Sequence, residues 1–209
     1  MSKQKFYVVW EGHHPGVYSS WEVAKRQIEG FPKAKYKSFA SKAEAEKAYR
    51  GSYWAYAGQS TKSVSKSPQE LEKIGVRLDS LSVDAACSGN PGDMEYRGVH
   101  TRTGQEIFRM GPMPDGTNNI GEFLALVHAL AWLKQQKSPN IPIYSDSRNA
   151  QLWIKAKKCR TKLEPTGRND QIFELIERAE NWLAANAVTN PILKWNTEEW
   201  GEIPADFGR

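Results

Sequence analysis

The chain has 209 residues, enough for one domain or two with a core that folds unaided. Hydrophobic residues make up 39% and charged ones 25%, an ordinary globular composition, and no apolar run approaches membrane-spanning length, so no membrane partner is expected. The net charge of +5 is unevenly spread: residues 1–66 carry 12 Lys+Arg against 5 Asp+Glu, which leaves −2 for residues 67–209.

A basic front on a mildly acidic body suggests a polyanion-binding module joined to something else. The plain alternative is a lysine-rich solubilising arm. Two cysteines, Cys87 and Cys159, with no C-x-x-C spacing, fit a reducing cytosol and argue against a disulfide scaffold or a zinc site. FYVVW is too short for a signal-peptide core, and no small-residue cleavage site follows it. A cytoplasmic location is the expectation.

Residues 1–57 read as a small unit. KFYVVW is a strand, EGHHPG a turn and GVYSSW a returning strand. His13 and His14 tempt as a metal pair, but beside Pro15 and Gly16 they read as loop. Ser19 to Glu22 has the capping-box spacing and opens a helix that Gly30 and Pro32 stop. AKYKSF is a third strand. Ser41 to Glu44 is a second box, opening KAEAEKAYR, which Gly51 ends. The order is ββαβα. Residues 58–75 begin with the Ser/Lys/Gly-rich stretch GQSTKSVSKSP and are taken as a linker.

Residues 76–209 form the second unit. SLSVDAACS alternates and then breaks at GNPG; EYRGVHT and QEIFRMG are further strands. NNIGEFLALVHALAWLKQQ is a helix, with Phe123, Leu126, Val127, Leu130 and Leu133 at helical spacing. IPIYSDS is a strand, NAQLWIKAKK and NDQIFELIERAENWLAANA are helices, and PILKWNTE is a final strand. In the closing stretch WGEIPADFGR, Trp200, Ile203 and Phe207 are expected to pack one face of a short helical turn, holding Glu202 and Asp206 one turn apart. The order βββαβααβα implies an α/β fold with a mixed sheet and helices packed on it.

Four acids stand at informative places. Asp84 lies mid-strand, where a charge costs heavily unless paired or metal-bound. Glu122 sits near the start of the long helix, where the helix dipole alone would favour it. Asp146 ends a strand and has the alternative of capping the next helix. Asp206 has the alternative of a surface acid. Acids without His or Cys favour hard cations, Mg²⁺ or Mn²⁺. Two such ions about 4 Å apart are a device for phosphodiester hydrolysis.

SVDAACSGNPG, TNNIGEFLALVHAL, PIYSDS and WGEIPADFGR, in this order and spacing, resemble the four blocks of the type 1 ribonuclease H family over about residues 78–209. The resemblance implies a mixed five-stranded sheet flanked by helices, and an endonuclease that hydrolyses the RNA strand of RNA/DNA hybrids. It implies that Asp84, Glu122, Asp146 and Asp206 hold two Mg²⁺ or Mn²⁺ ions, one activating water and one stabilising the leaving 3′-oxygen. The products would carry a 5′-phosphate and a 3′-hydroxyl. Many members place a His in a loop before the last acid. None of His13, His14, His100 and His128 lies there, and Glu202 stands in that neighbourhood, as in a bacterial subgroup in which Glu replaces that His. A supporting catalytic role for Glu202 follows from the resemblance, its alternative being a helix-surface acid.

The resemblance further implies that Cys87, Gly89, Glu122 and Arg148 face RNA, and that Asn90 and Asn119 face bases or DNA. Gln is more usual at Arg148 in the close subgroup. Thr117, Asn119 and Thr197 would form a pocket for a DNA-strand phosphate, with Trp153 packing on deoxyribose. Turn chemistry is the alternative for Asn118 and Asn119, and core packing for Trp153. The basic run KAKKCRTK is a solvated helix end or a phosphate-binding stretch. FYVVW, GVYSSW and FPKAKYKSFAS resemble the small hybrid-binding, viroplasmin-like domain that precedes some ribonucleases H. By that resemblance Trp21 and Tyr36 stack on DNA sugars and Lys37 pairs with phosphate; Tyr7 and Trp10 are weaker candidates. The expected partner is an RNA/DNA hybrid duplex, and the expected state a monomer without an obligate protein partner. The alternatives are a non-catalytic binder of hybrid or double-stranded RNA, and another nuclease of the same superfamily.

Overall fold

The structure, a computed structural model, describes residues 5–32, 34–56 and 66–208, with backbone alone for Trp54 and Ala55. The chain divides into two compact units, Met1–Thr61 and Lys62–Arg209.

In the first unit, β1 (Phe6–Glu11), β2 (Gly16–Tyr18), α1 (Trp21–Ile28), β3 (Lys35–Phe39), α2 (Lys42–Arg50) and α3 (Tyr53–Tyr56) follow one another. The strands form an antiparallel sheet in the order β2-β1-β3. One face carries Val8, packed on Ala45 and Ala48 of α2 with Phe6, Val17 and Phe39 around them. Trp10 belongs to this core: its indole N–H lies 3.2 Å from the Ala48 carbonyl and 3.1 Å from that of Gly51. The expected box at Ser19 does not form. α1 is capped at Ser20, whose hydroxyl donates to the Glu22 carboxylate instead of accepting from the backbone. Ser41 does cap α2, accepting from the Glu44 amide. The His13–His14 stretch is a loop, with His13 Nε2 3.0 Å from the Glu29 carbonyl oxygen.

The second unit starts earlier than the linker boundary at 75 implies. The linker expected over 58–65 lies outside the described residues, but Pro68–Lys73 is helix α4. Ser67 and Glu70 make a reciprocal capping box, and Leu71 is buried in a cluster with Val76, Leu78, Tyr144, Trp195 and Ile203. A local cap and one buried leucine turn what composition presents as linker into structure.

Then come β4 (Leu81–Cys87), β5 (Gly92–His100), β6 (Glu106–Gly116), α5 (Asn118–Gln135), β7 (Ile143–Ser145), α6 (Arg148–Ala156), α7 (Asp170–Ala185), β8 (Ile192–Lys194) and α8 (Thr197–Trp200). The five strands form one mixed sheet in the order β6-β5-β4-β7-β8. β4–β5 and β5–β6 are antiparallel, while β4–β7 and β7–β8 are parallel. α5 is the central helix. Beyond its expected stripe it also buries Ile120, Leu124, Ala125 and Ala129, because β4, β5, α6 and α7 all pack on it.

Candidate active site

Three carboxylates meet at the carboxyl end of β7. Val83 and Ala85 turn into the core around α5, and strand alternation sends Asp84 to the other face, where it is 8% exposed. β4 and β7 run parallel with Leu81 opposite Ile143 and Ser82 opposite Tyr144. Continuing that register brings Asp84 level with Asp146, the first residue past β7. α5 supplies Glu122. Its approach to β4 depends on Gly121: a Cβ there would lie 2.7 Å from the Ala85 Cβ. One carboxylate oxygen from each of Asp84, Glu122 and Asp146 lies within 4.8 Å of the others.

The plain alternatives for two of these acids lose ground. Asp146 does not cap α6. Ser147 is the N-cap, and its hydroxyl accepts from the Ala150 amide at 3.2 Å. Glu122 is the fifth residue of α5, beyond the turn whose free amides favour a negative charge. Its carboxylate is held from two sides, by the Ser147 hydroxyl and by the Asn118 amide at 3.0 Å.

The electrostatics are those of a place that needs positive charge. Burial, then the Asp146 charge, and further Glu122 and Asp206, push Asp84 up to about 8 from 3.8. Burial pushes Glu122 up to about 7, against the Ser147 hydrogen bond and the Lys194 ammonium. Asp146 is raised by burial as well, and Lys194 opposes that. Oδ1 of Asp146 is buried and has no hydrogen-bond partner among the described residues. All-oxygen donors, mutual repulsion and an orphaned oxygen fit a hard divalent cation. Sequence reasoning missed Lys194. It pairs with Ser145 across the parallel β7–β8 ladder, and its ammonium donates to the Asp146 carbonyl.

Asp206 and Glu202 stand outside this tight group. The closing stretch is not the helical turn expected. Helix α8 ends at Trp200, and residues 201–208 form turns and loop. Ile203 is buried under Trp195 and Trp200, while Phe207 lies against two arginines, so no single apolar face exists to wind a helix. The Asp206 charge nevertheless acts on the group from outside it, raising both Asp84 and Asp146. Its Oδ2 accepts from the Gly208 amide at 2.8 Å.

Past β4, the turn carrying Gly89 and Asn90 is exposed, and the half-buried Cys87 donates its S–H to the Gly116 carbonyl at 3.4 Å. A groove of about 410 Å³ brings Asn90, Thr117, Asn119 and Trp153 together. Trp153 is both core and groove: one edge meets Phe123 at 6.0 Å between ring centroids. Arg160, Thr161 and Lys162 from the basic run line the same groove. Thr197 does not. It opens α8 after β8, the edge strand beyond β7, whereas the groove is built from the β4–β5 turn, α5, α6 and the loop after α6. Arg148 is exposed at the first position of α6.

In the first unit, Trp21 and Tyr36 are exposed and adjacent, with ring centroids 5.9 Å apart and Tyr7 next to Trp21 at 5.3 Å. Lys37 is not with them. It follows Tyr36 in a strand, so it points to the opposite face, and its ammonium donates to the Tyr56 carbonyl at 2.8 Å. The period-2 alternation of AKYKSF already carried that signal.

Among the described residues no helix is long and apolar enough to cross a membrane. Residues 5–49 match the family model for the Ribonuclease H1 N-terminal domain, and residues 80–199 match the one for RNase H. Ribonuclease H of Rickettsia massiliae is 33% identical over 136 residues, covering 60% of this chain and 84% of that protein. Ribonuclease H of Acetivibrio thermocellus is 30% identical over 110 residues, covering 49% and 74%. Among solved structures, RNase H1 from the halophilic archaeon Halobacterium salinarum NRC-1 aligns at 20% identity with a TM-score of 0.41, covering 60% of this chain and 91% of that one. With more than half of its length matching the RNase H model, and the Ribonuclease H1 N-terminal domain ahead of that match, the chain belongs to the ribonuclease H family.

Proposed function

We propose that this ribonuclease H cuts the RNA strand of RNA/DNA hybrids at the carboxylate group Asp84, Glu122 and Asp146, with Asp206 as a fourth ligand. The observation that carries the reading is the convergence of three repelling, largely buried carboxylates in one site, one of which, Asp146, carries an orphaned oxygen. Mg²⁺ or Mn²⁺, as a pair of ions held by these acids, would supply an activated water and stabilise the leaving 3′-oxygen, giving 5′-phosphate and 3′-hydroxyl ends. The chain's part is preorganisation. Ser147 and Asn118 fix the Glu122 carboxylate. Sheet register sets Asp84 beside Asp146. Lys194 tempers the negative charge from the β8 side.

Strand selection is assigned to the flanking surface. Cys87, Gly89, Glu122 and Arg148 face ribose, and the exposed turn lets backbone approach a 2′-hydroxyl. Asn90, Asn118 and Asn119 face bases or DNA. The groove of Thr117, Asn119, Trp153, Thr161 and Lys162 takes a DNA-strand phosphate. Glu202 is assigned the supporting role that a His fills in other members. The first unit grips the duplex through Trp21 and Tyr36.

The test is a panel of short labelled substrates: RNA/DNA, RNA/RNA, DNA/DNA and single-stranded RNA. Internal cuts confined to the RNA of the hybrid, with 5′-phosphate ends, are the expected result. Cutting of DNA strands would reassign the chain to another substrate class, and binding of the hybrid without cutting would make it a recognition protein.

A further inference from the structure

Asp206 carries a charge that acts on Asp84 and Asp146, and it sits on a segment without regular secondary structure. Something must hold that segment in place. The register of the sheet answers this. Asp84 on β4 is opposite Arg97 on β5, and Arg97 is opposite Arg109 on β6. Directly paired residues of an antiparallel ladder project to one face, so the three side chains form a row across three strands.

Arg97 uses that position on the closing segment. Its Nε donates to the Ala205 carbonyl at 2.9 Å and its Nη2 to the Asp206 carbonyl at 2.6 Å. The Phe207 ring then lies against both guanidinium groups, 4.7 Å from that of Arg97 and 5.3 Å from that of Arg109. Arg109 is itself anchored, with Nε 3.0 Å from the carboxylate of Glu95, a residue only 3% exposed. Ala205 is fully buried, so the segment is seated as well as tethered.

We propose that Arg97 is the positioning residue for Asp206. It grips two successive carbonyls with a planar fork and lies against the next ring, while Arg109, held by Glu95, lies against the same ring. It touches no reacting atom. Lysine matches the charge but neither the two-donor fork nor the flat face. The inference rests on the reading of Asp206 as a cation ligand.

The experiment uses the full-length protein and titrates Mn²⁺ into wild type, Arg97→Ala, Arg97→Lys, Phe207→Ala and Asp206→Asn, with amide hydrogen exchange of residues 203–208 alongside. Arg97→Ala is expected to raise the half-saturating Mn²⁺ concentration about tenfold, the usual scale for a partner that orients a ligand. Exchange should quicken in 203–208 alone. Arg97→Lys should recover part of the affinity and Phe207→Ala should lose part of it. Phe207→Ala leaves the sheet untouched, so it decides the matter if Arg97→Ala fails to fold. Wild-type Mn²⁺ saturation and exchange in both Arg97→Ala and Phe207→Ala, with Asp206→Asn impaired, would overturn the inference and leave the ligand reading standing. Wild-type Mn²⁺ saturation in Asp206→Asn would remove the ligand reading, and the inference with it.

Discussion

Asp84 shows at the scale of one residue what the site costs and what it needs. In the metal-free fold its carboxyl titrates near 8 rather than 3.8, with burial as the leading cause. Between those values the folded protein binds a proton that the unfolded chain has released, so stability falls as pH rises through that window. The stability is fully present below about 3.8 and lost above about 8. The expected outcome is that metal-free Asp84→Asn melts above wild type at pH 8, that the gap closes toward pH 4, and that Mg²⁺ narrows it at pH 8 by stabilising wild type. Thermal melts over that pH range check this. A gap independent of pH would mean that Asp84 is not held protonated by its surroundings. Much of this was legible: a lone Asp inside an apolar strand asks for a partner. Lys194 was not legible, because only the parallel pairing of β7 with β8 puts it near Asp146.

At the scale of elements, the site depends on how closely α5 lies on β4. The absent side chain of Gly121 sets that distance, since a methyl group there meets Ala85 at 2.7 Å. Gly121→Ala gains helix propensity of about 1 kcal/mol but must push the helix outward, at about 1 to 3 kcal/mol for overpacking. The expected result is a small net loss in chemical denaturation with a much larger loss of hybrid cleavage, because Glu122 moves with the helix. A more stable variant with unchanged cleavage would contradict the close-packing account. The α5 stripe and the strand order were readable because hydrophobic period carries them. α4 was hidden, since six residues are too few for a period and lie against a linker-like stretch. The closing segment departs from the expected helical turn for a different reason: what shapes it comes from Arg97, more than a hundred residues earlier in the chain. The face taken by Lys37 was legible, since strand alternation turns its side chain away from Tyr36.

At the scale of the molecule, the charge asymmetry of the sequence acquires a use. The basic first unit presents an exposed aromatic patch of Trp21 and Tyr36, and the second unit carries the carboxylates. Two binding modules on one chain raise local concentration on a duplex. Removing residues 1–61 is expected to leave cleavage intact at saturating hybrid. Binding should weaken about tenfold or more, and the log-log salt slope should shallow by about 0.9 for each phosphate that the first unit no longer neutralises. Filter binding at several salt concentrations measures both. Unchanged affinity and slope would return the first unit to a solubilising role.

The most direct measurement follows the RNA strand of a labelled hybrid on a gel, with wild type and Asp146→Asn, each in Mg²⁺, Mn²⁺ or EDTA. If the three-carboxylate site performs the chemistry, wild type cuts with either cation and not in EDTA, and Asp146→Asn loses at least about a hundredfold in rate while still binding the hybrid. Cleavage by Asp146→Asn at the wild-type rate, or by wild type in EDTA, would contradict it.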